Sequence, residues 1–125
     1  PIYLLLLSFL LLAGTGFGQH IKKKLLGTYE GAIPAYTMDV GQGVVEVFQT
    51  TIIIELTENG VVQQLGNMKR KGTWKITETD KQYYVLVLQL DGQLAEERII
   101  LYKKGHIMKR EGIFPQPDAT LMLKR

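Results

Sequence analysis

The sequence contains no cysteine, two histidines and a single serine, Ser8. Without cysteine, these residues cannot form a disulfide framework, a thiolate metal site or a cysteine nucleophile. Because the only serine lies in the apolar N-terminal segment, the rest of the chain cannot carry a Ser-His-Asp triad. A strong excess of one charge is also absent, since 15 Lys and Arg face 12 Asp and Glu. That mild basic balance predicts no nucleic-acid partner.

Long apolar runs are confined to the N-terminus. Residues Ile2–Ala13 are apolar except for Tyr3 and Ser8, and small residues follow as far as Gly18, interrupted only by Phe17. This layout predicts a signal peptide over residues 1–18 and an exported mature chain from Gln19, periplasmic or secreted in a bacterium. An uncleaved membrane anchor is the alternative, but a span needs about 20 apolar residues. We expect no stable membrane span once the signal is removed.

The remaining chain, residues 19–125, predicts one all-β domain. Turn residues recur roughly every 8 to 12 positions, a spacing typical of β-sandwiches and barrels. Asn59-Gly60 and Asp91-Gly92 indicate hairpins with type I′ turns, and Pro34–Gly43 is expected to be a loop. The predicted strands are Gly27–Ile33, Val44–Leu56, Val61–Leu65, Gly72–Thr77, Tyr83–Leu90, Leu94–Tyr102, His106–Glu111 and Thr120–Lys124.

Side-chain alternation predicts which residues face the core. Tyr29 and Ile33 share one face of the first strand. Val44–Leu56 changes phase, because Val45 and Val47 face inward at its start and Ile52, Ile54 and Leu56 at its end; this predicts a bulge within residues 48–51.

About eight short strands without credible helices favour a closed barrel. No βαβ spacing is present, so consecutive strands are expected to pair antiparallel. Closure removes the exposed strand edges, and eight strands enclose an interior that side chains or one small ligand can fill. We therefore predict an up-and-down, lipocalin-like β-barrel, with a two-sheet sandwich as the alternative.

Several short motifs resemble one family. Gly27–Pro34 is similar to the G-T-Y-x-G-x-x-P opening of the N-terminal domain of NlpE-type envelope lipoproteins. A long hydrophobic strand ending at Glu58–Gly60, the G-x-W strand at Lys71–Trp74 and the final strand Leu121–Lys124 follow in the family's order. The resemblance covers about 100 residues, essentially the whole predicted mature chain.

The resemblance implies a small lipocalin-like barrel of the bacterial envelope, in a family associated with copper resistance and envelope-stress sensing. Two features of the family are missing. No lipid-anchor cysteine is present, and Ala35 and Met38 occupy the positions of the family's C-x-x-C motif. We therefore expect a soluble relative, for which copper is a doubtful cofactor; no other cofactor is predicted.

Candidate metal ligands are few. Met38, His106 and Met108 carry the thioether and imidazole groups that suit Cu(I), and His106 and Met108 are expected on one strand face. Methionines more often fill gaps in a core, so no metal site is predicted from them. Carboxylate pairs such as Glu96-Glu97 point to opposite strand faces and do not indicate a hydrolase.

Binding is the remaining class of function. We expect a non-enzymatic envelope binding or sensing module, with an envelope protein as partner and the loops 34–43 and 113–118 flanking the barrel mouth. The alternative is a carrier of a small hydrophobic ligand inside the barrel, and a weak hydrolase ranks last. Candidate binding residues are Tyr29, Pro34, Tyr36, Met38, Trp74 and Phe114.

Overall fold

The computed structural model describes residues 20–124, which are almost entirely β-structure. A short 3-10 helix, Lys23–Leu25, precedes the first strand. The strands are β1 Gly27–Ile33, β2 Tyr36–Asp39, β3 Val44–Val47, β4 Thr50–Thr57, β5 Gly60–Leu65, β6 Met68–Thr79, β7 Tyr83–Leu90, β8 Glu97–Tyr102, β9 Ile107–Arg110 and β10 Ala119–Lys124. The predicted signal peptide lies outside the described residues. Within residues 20–124, no helix is long and apolar enough to cross a membrane.

Eight of these strands close into an antiparallel barrel in the order β1-β10-β9-β8-β7-β6-β5-β4. Closure depends on β1, which pairs with β4 along one edge and with β10 along the other. From β4 to β10, every strand pairs with its neighbours in the sequence. The predicted all-β, up-and-down barrel is therefore confirmed, and the alternative of a two-sheet sandwich is wrong.

The barrel interior is filled by the inward residues of each strand. On β1 and β4, Tyr29, Ile52, Ile54 and Leu56 have almost no exposed surface, as their alternation predicts. Leu86, Leu88 and Leu90 of β7 and Leu121 of β10 meet them in the same cluster. Burying each such aliphatic side chain contributes roughly 1.5 to 3 kcal/mol of transfer free energy. Apolar packing therefore contributes a large part of the stability of the closed wall.

The segment between β1 and β4 differs from its prediction. Residues 34–43 are not a loop throughout, and Val44–Leu56 is not one strand with a bulge. Instead β2 and β3 pair only with each other and form a separate hairpin, registered from Tyr36↔Val47 to Asp39↔Val44. Val45 is therefore 43% exposed rather than inward-facing. Because the β-structure is interrupted at Phe48–Gln49, β3 and β4 belong to different sheets.

Both predicted hairpins form, but neither has a type I′ turn. At the β4–β5 hairpin, Thr57 pairs with Gly60, so Glu58 and Asn59 are the central residues. Neither residue has the positive φ that a type I′ turn requires at both central positions. At the second hairpin, Gly92 has a positive φ but Asp91 does not. The β7–β8 connection is also longer than predicted, because β8 begins at Glu97 and not at Leu94.

The two ends of the barrel differ. At the closed end, the 3-10 helix inserts buried Leu25, whose carbonyl accepts a hydrogen bond from the Tyr29 hydroxyl at 2.7 Å. Half-buried Trp74 donates its indole N–H to the carbonyl of Thr57 at 2.8 Å. The opposite end, which we call the mouth, carries the β2–β3 hairpin, the β7–β8 loop and the β9–β10 loop.

Two wall glycines allow neighbouring strands to approach. A Cβ at Gly72 would lie 2.1 Å from the carbonyl oxygen of Gln89, and one at Gly31 would lie 2.2 Å from that of Thr120. Real Cβ atoms do not tolerate such contacts, so the backbone must shift to admit a side chain. Glycine at these positions is therefore required by sheet packing, not by a turn.

We predict that Gly72→Ala lowers the free energy of unfolding by about 2 kcal/mol or more, because overpacking forces strand movement. The exposed neighbour Thr73→Ala is the control and is expected to lose less than about 1 kcal/mol. Guanidinium unfolding curves of both variants measure the difference. Equal losses of unfolding free energy would show that a side chain at residue 72 does not force β6 and β7 apart.

Candidate ligand-binding site

A cavity of about 300 Å³ opens at the mouth. Its apolar side includes Tyr36 of the β2–β3 hairpin, Leu65, Met68, and Ile113 and Pro115 of the β9–β10 loop. Residues of the β2–β3 hairpin and of the β9–β10 loop, which are distant in sequence, therefore line the same cavity. Its polar side is formed by Gln63, Arg70, Gln93, Glu97, Arg110 and Gln116.

Glu97 is the central acceptor of the cavity floor. It begins β8 on the inward face that continues with Ile99 and Leu101, and it is only 2% exposed. One carboxylate oxygen accepts hydrogen bonds from Gln63 Nε2 at 2.7 Å and from Arg110 Nε at 2.8 Å. The other accepts from Gln93 Nε2 at 2.9 Å. A buried carboxylate is stable in this position because donors surround it.

Arg110 connects the floor to the β9–β10 loop. It ends β9, faces inward like Met108 two residues earlier, and is 3% exposed. Its Nε donates to Glu97, and its Nη1 donates to the side-chain oxygen of Gln116 in the loop. The guanidinium thus fixes part of the mouth relative to the barrel wall.

The pKa of Glu97 is set by opposing effects. Burial raises the pKa, because it disfavours the charged form, but the hydrogen bond and positive charge of Arg110 lower it. Hydrogen bonds from Gln93 and Gln63 lower it further, and the net result is a pKa below the ordinary value. Glu97 is therefore an ionised structural acceptor at neutral pH.

The β9–β10 loop is also held from its far side. The backbone N–H of Gly112 donates to Asp118 Oδ1 at 2.9 Å, and Lys109 Nζ lies 3.5 Å from Asp118 Oδ2. The hydrogen bond from Gly112, together with Lys109, holds the pKa of Asp118 below its usual range. The loop is thus anchored at both ends while its tip projects outward.

Exposed apolar side chains are concentrated in the segments at the mouth. Phe114 is 94% exposed at the tip of the β9–β10 loop, and Leu94 is fully exposed in the β7–β8 loop. We call the following set of exposed side chains at this end the rim: Val40, Val44, Val45, Phe48, Met68, Leu94, Ile113 and Phe114. Among the described residues, the one other large exposed apolar side chain is Met122, on the outer wall.

The six candidate binding residues fall at opposite ends of the barrel. Tyr36 lines the cavity, and Phe114 lies on the rim. Pro34 is exposed where the chain leaves β1 for the hairpin, and Met38 is half-buried within β2. These four therefore lie at the mouth, and a role for them in binding stays a prediction.

Tyr29 and Trp74 do not share that site. Tyr29 is fully buried and hydrogen-bonded to Leu25, so it fills the closed end instead of bordering a cavity. Trp74 borders two other pockets, of about 220 and 460 Å³, beside Glu58 and Asn59 at the same end. Neither side chain can touch a ligand held at the mouth.

The weak metal candidates do not converge. The prediction that His106 and Met108 share a strand face is wrong, because β9 begins at Ile107 and His106 lies in the preceding turn with φ of 56°. His106 is exposed, whereas Met108 is buried in the interior. Residues 20–124 contain no group of three or more His, Asp and Glu side chains placed to hold a metal ion.

Sequence reasoning missed the charged residues of the cavity floor. Glu96 and Glu97 were expected on opposite strand faces, with no prediction of which one is buried, and Lys109-Arg110 was interpreted as a solvated basic pair. The available signal was strand phase, because Glu97 alternates with Ile99 and Leu101. Arg110 alternates in the same way with Met108.

We predict that Arg110→Met lowers the free energy of unfolding by about 3 to 5 kcal/mol, because it leaves the Glu97 carboxylate buried without its countercharge. Arg98→Met is the matched control. Arg98 pairs with Glu111 at 2.7 Å, but its side chain is 50% exposed, so we expect a loss of less than about 1 kcal/mol. Urea unfolding at pH 7 measures both. Similar small losses would contradict the buried position of the Glu97–Arg110 pair.

A second prediction concerns pH. Because the folded-state pKa of Glu97 is lowered, its ionisation stabilises the fold above the ordinary carboxyl range, and this contribution disappears as pH falls through the folded-state pKa. We expect Glu97→Gln to be less stable than wild type at pH 7, with the difference shrinking below about pH 4. The exposed neighbour Glu96→Gln is the control, and urea midpoints across pH measure the effect. A difference that grows on acidification would contradict the lowered pKa.

Comparison with known proteins gives no relative. No protein-family model matches the chain, and neither the curated proteins nor the solved structures contain a significant match. The similarity to the N-terminal domain of NlpE-type lipoproteins therefore stays a prediction from short motifs. Function has to be inferred from the chemistry of the mouth.

Proposed function

We propose that this protein is a non-enzymatic binding module of the bacterial cell envelope and that the mouth is its recognition surface. The distribution of exposed apolar side chains carries the proposal. Of nine large apolar side chains exposed among residues 20–124, eight form the rim. Exposed apolar groups concentrated in the segments at one end of a domain are typical of interaction sites.

The packing of the barrel supports a module that binds at its end. Tyr29, Leu56, Leu88 and Leu101 have no appreciable exposure, and they occupy the space that an internal ligand would need. The cavity at the mouth, at about 300 Å³, is at the lower limit of typical small-molecule pockets. This favours recognition by loops over transport inside the barrel.

A carrier of a small hydrophobic ligand is the second candidate. The apolar side of the cavity, with Leu65, Met68 and Ile113, favours it. The charged residues of the cavity oppose it. A purely apolar ligand would displace water from Arg70 without offering its guanidinium a hydrogen-bond acceptor. A ligand that also satisfies the polar side fits the cavity better.

The chemistry of the cavity supports a non-catalytic role. Its one carboxylate, Glu97, accepts three side-chain hydrogen bonds and has a lowered pKa, so it is poorly suited to act as a general base at neutral pH. Copper binding has little support, because Ala35 and Met38 replace the thiolate pair. The envelope location rests on the predicted signal peptide and on the family resemblance.

Native mass spectrometry of the protein purified from its own envelope fraction tests the proposal. We expect an added mass from a bound molecule or protein on wild type. The double variant Leu94→Ser/Phe114→Ser is expected to lose it, because both side chains are exposed rim residues and their replacement leaves the core intact.

Met122→Ser is the matched control, since Met122 is 56% exposed on the outer wall. It is expected to keep the added mass. Equal retention by the rim variant and the control would exclude the mouth as the recognition surface. If the added mass contains a metal ion and both variants retain it, the metal site lies away from the rim.

A further inference from the structure

We infer that the ligand of the mouth is an anionic amphiphile, a molecule with a negatively charged oxygen head group and an apolar chain. The inference rests on the proposed function and names its ligand class. It follows from three properties of the cavity: its charge, its unequal supply of hydrogen-bond donors and acceptors, and its apolar lining residues.

The charge of the cavity is positive. Two guanidinium groups, Arg70 and Arg110, line it together with a single carboxylate, Glu97. Glu97 and Arg110 form an ion pair at 2.8 Å, which neutralises both. The charge of Arg70 is left to face the cavity, so an anion is attracted and a cation is repelled.

Hydrogen-bonding capacity leads to the same conclusion. Glu97 already accepts from Gln63, Gln93 and Arg110. By contrast, the hydrogen bonds found for Arg70 within residues 20–124 go to the thioether sulfur of Met68, at 3.3 and 3.4 Å. A thioether is a weak acceptor. The guanidinium therefore retains donors for a stronger acceptor.

The arginine at this position suits a planar or tetrahedral oxyanion. A guanidinium can donate two parallel hydrogen bonds to a carboxylate or to a phosphate, and such charge-assisted pairs are stronger than neutral ones. Displacing the Met68 sulfur from Arg70 requires only rotation of a flexible, 55% exposed side chain. The head group can therefore reach Arg70 without disturbing the barrel.

The apolar side of the cavity and the rim accommodate the chain. Leu65, Ile113 and Pro115 line the same cavity as the charged groups. A volume of about 300 Å³ equals on the order of ten water molecules of liquid, so it holds the head group and the first part of a chain. The remainder would lie against exposed Phe114 and Leu94.

Isothermal titration calorimetry with four decyl amphiphiles below their micelle concentrations tests the inference. Decanoate and decyl phosphate carry the two possible anionic head groups, whereas decyltrimethylammonium and decyl maltoside are the cationic and neutral controls. We expect wild type to bind one or both anions and neither control. The tighter anion identifies the head group.

Substitution of Arg70 tests the contact itself. We expect Arg70→Gln to weaken anion binding about tenfold or more, since hydrogen bonds to charged groups contribute about 1.5 to 3 kcal/mol. Arg70→Lys keeps the positive charge but cannot donate two parallel hydrogen bonds. Its anion affinity is expected to lie between those of wild type and Arg70→Gln. Arg98→Gln, an exposed arginine of the outer wall, is expected to bind as wild type.

The inference is overturned if the cationic or neutral amphiphile binds as tightly as the anions, if Arg70→Gln and Arg70→Lys bind unchanged, or if no amphiphile binds. Loss of the native adduct in the rim variant, combined with no anion binding, would leave the mouth as the recognition surface and reject only this ligand class. An adduct unaffected by the rim variant would instead reject the proposed function.

Discussion

The pairing of β1 along both of its edges is the constraint on which the rest of the structure depends. Its ladders with β4 and β10 convert a meander of short strands into a closed wall. A closed wall has no free strand edge to offer a partner. Its eight-stranded interior is filled by residues such as Tyr29, Leu88 and Leu121. Among residues 20–124, the two buried charged side chains, Glu97 and Arg110, both line the cavity at the mouth.

The buried ion pair at that end is informative because it is a poor means of stabilisation. Replacing such a pair by well-packed apolar residues is often neutral or favourable for stability. Glu97 and Arg110 are each almost fully buried, yet they lie under the mouth and not at the closed end, where Leu25 packs. Their hydrogen bonds to Gln93 and Gln116 reach into the two loops beside the cavity. The pair therefore holds both loops in place relative to the barrel wall.

Much of the barrel could be predicted from alternation, because one face of each strand must be buried. Ile52, Ile54 and Leu56 are examples, and Gly72, Trp74 and Ile76 also share a face. The β2–β3 hairpin could not be predicted, since the β-branched run continues past Phe48 without Gly or Pro to mark the break. The charged floor was missed for a different reason: residue type outweighed phase at Glu97 and Arg110. The predicted type I′ turn at Asn59-Gly60 was also wrong, because Gly60 pairs with Thr57 in the β4–β5 ladder and is not a central turn residue.

The β2–β3 hairpin leaves and re-enters the wall at a single point, because Ile33 and Thr50 face each other across the β1–β4 ladder. Strand pairing therefore continues without interruption whatever lies between these two residues. The closure entropy of a surface insertion grows only slowly with its length. Evolution, or a protein engineer, can thus change the size and sequence of residues 34–49, and with them the surface of this end, while the scaffold keeps its shape.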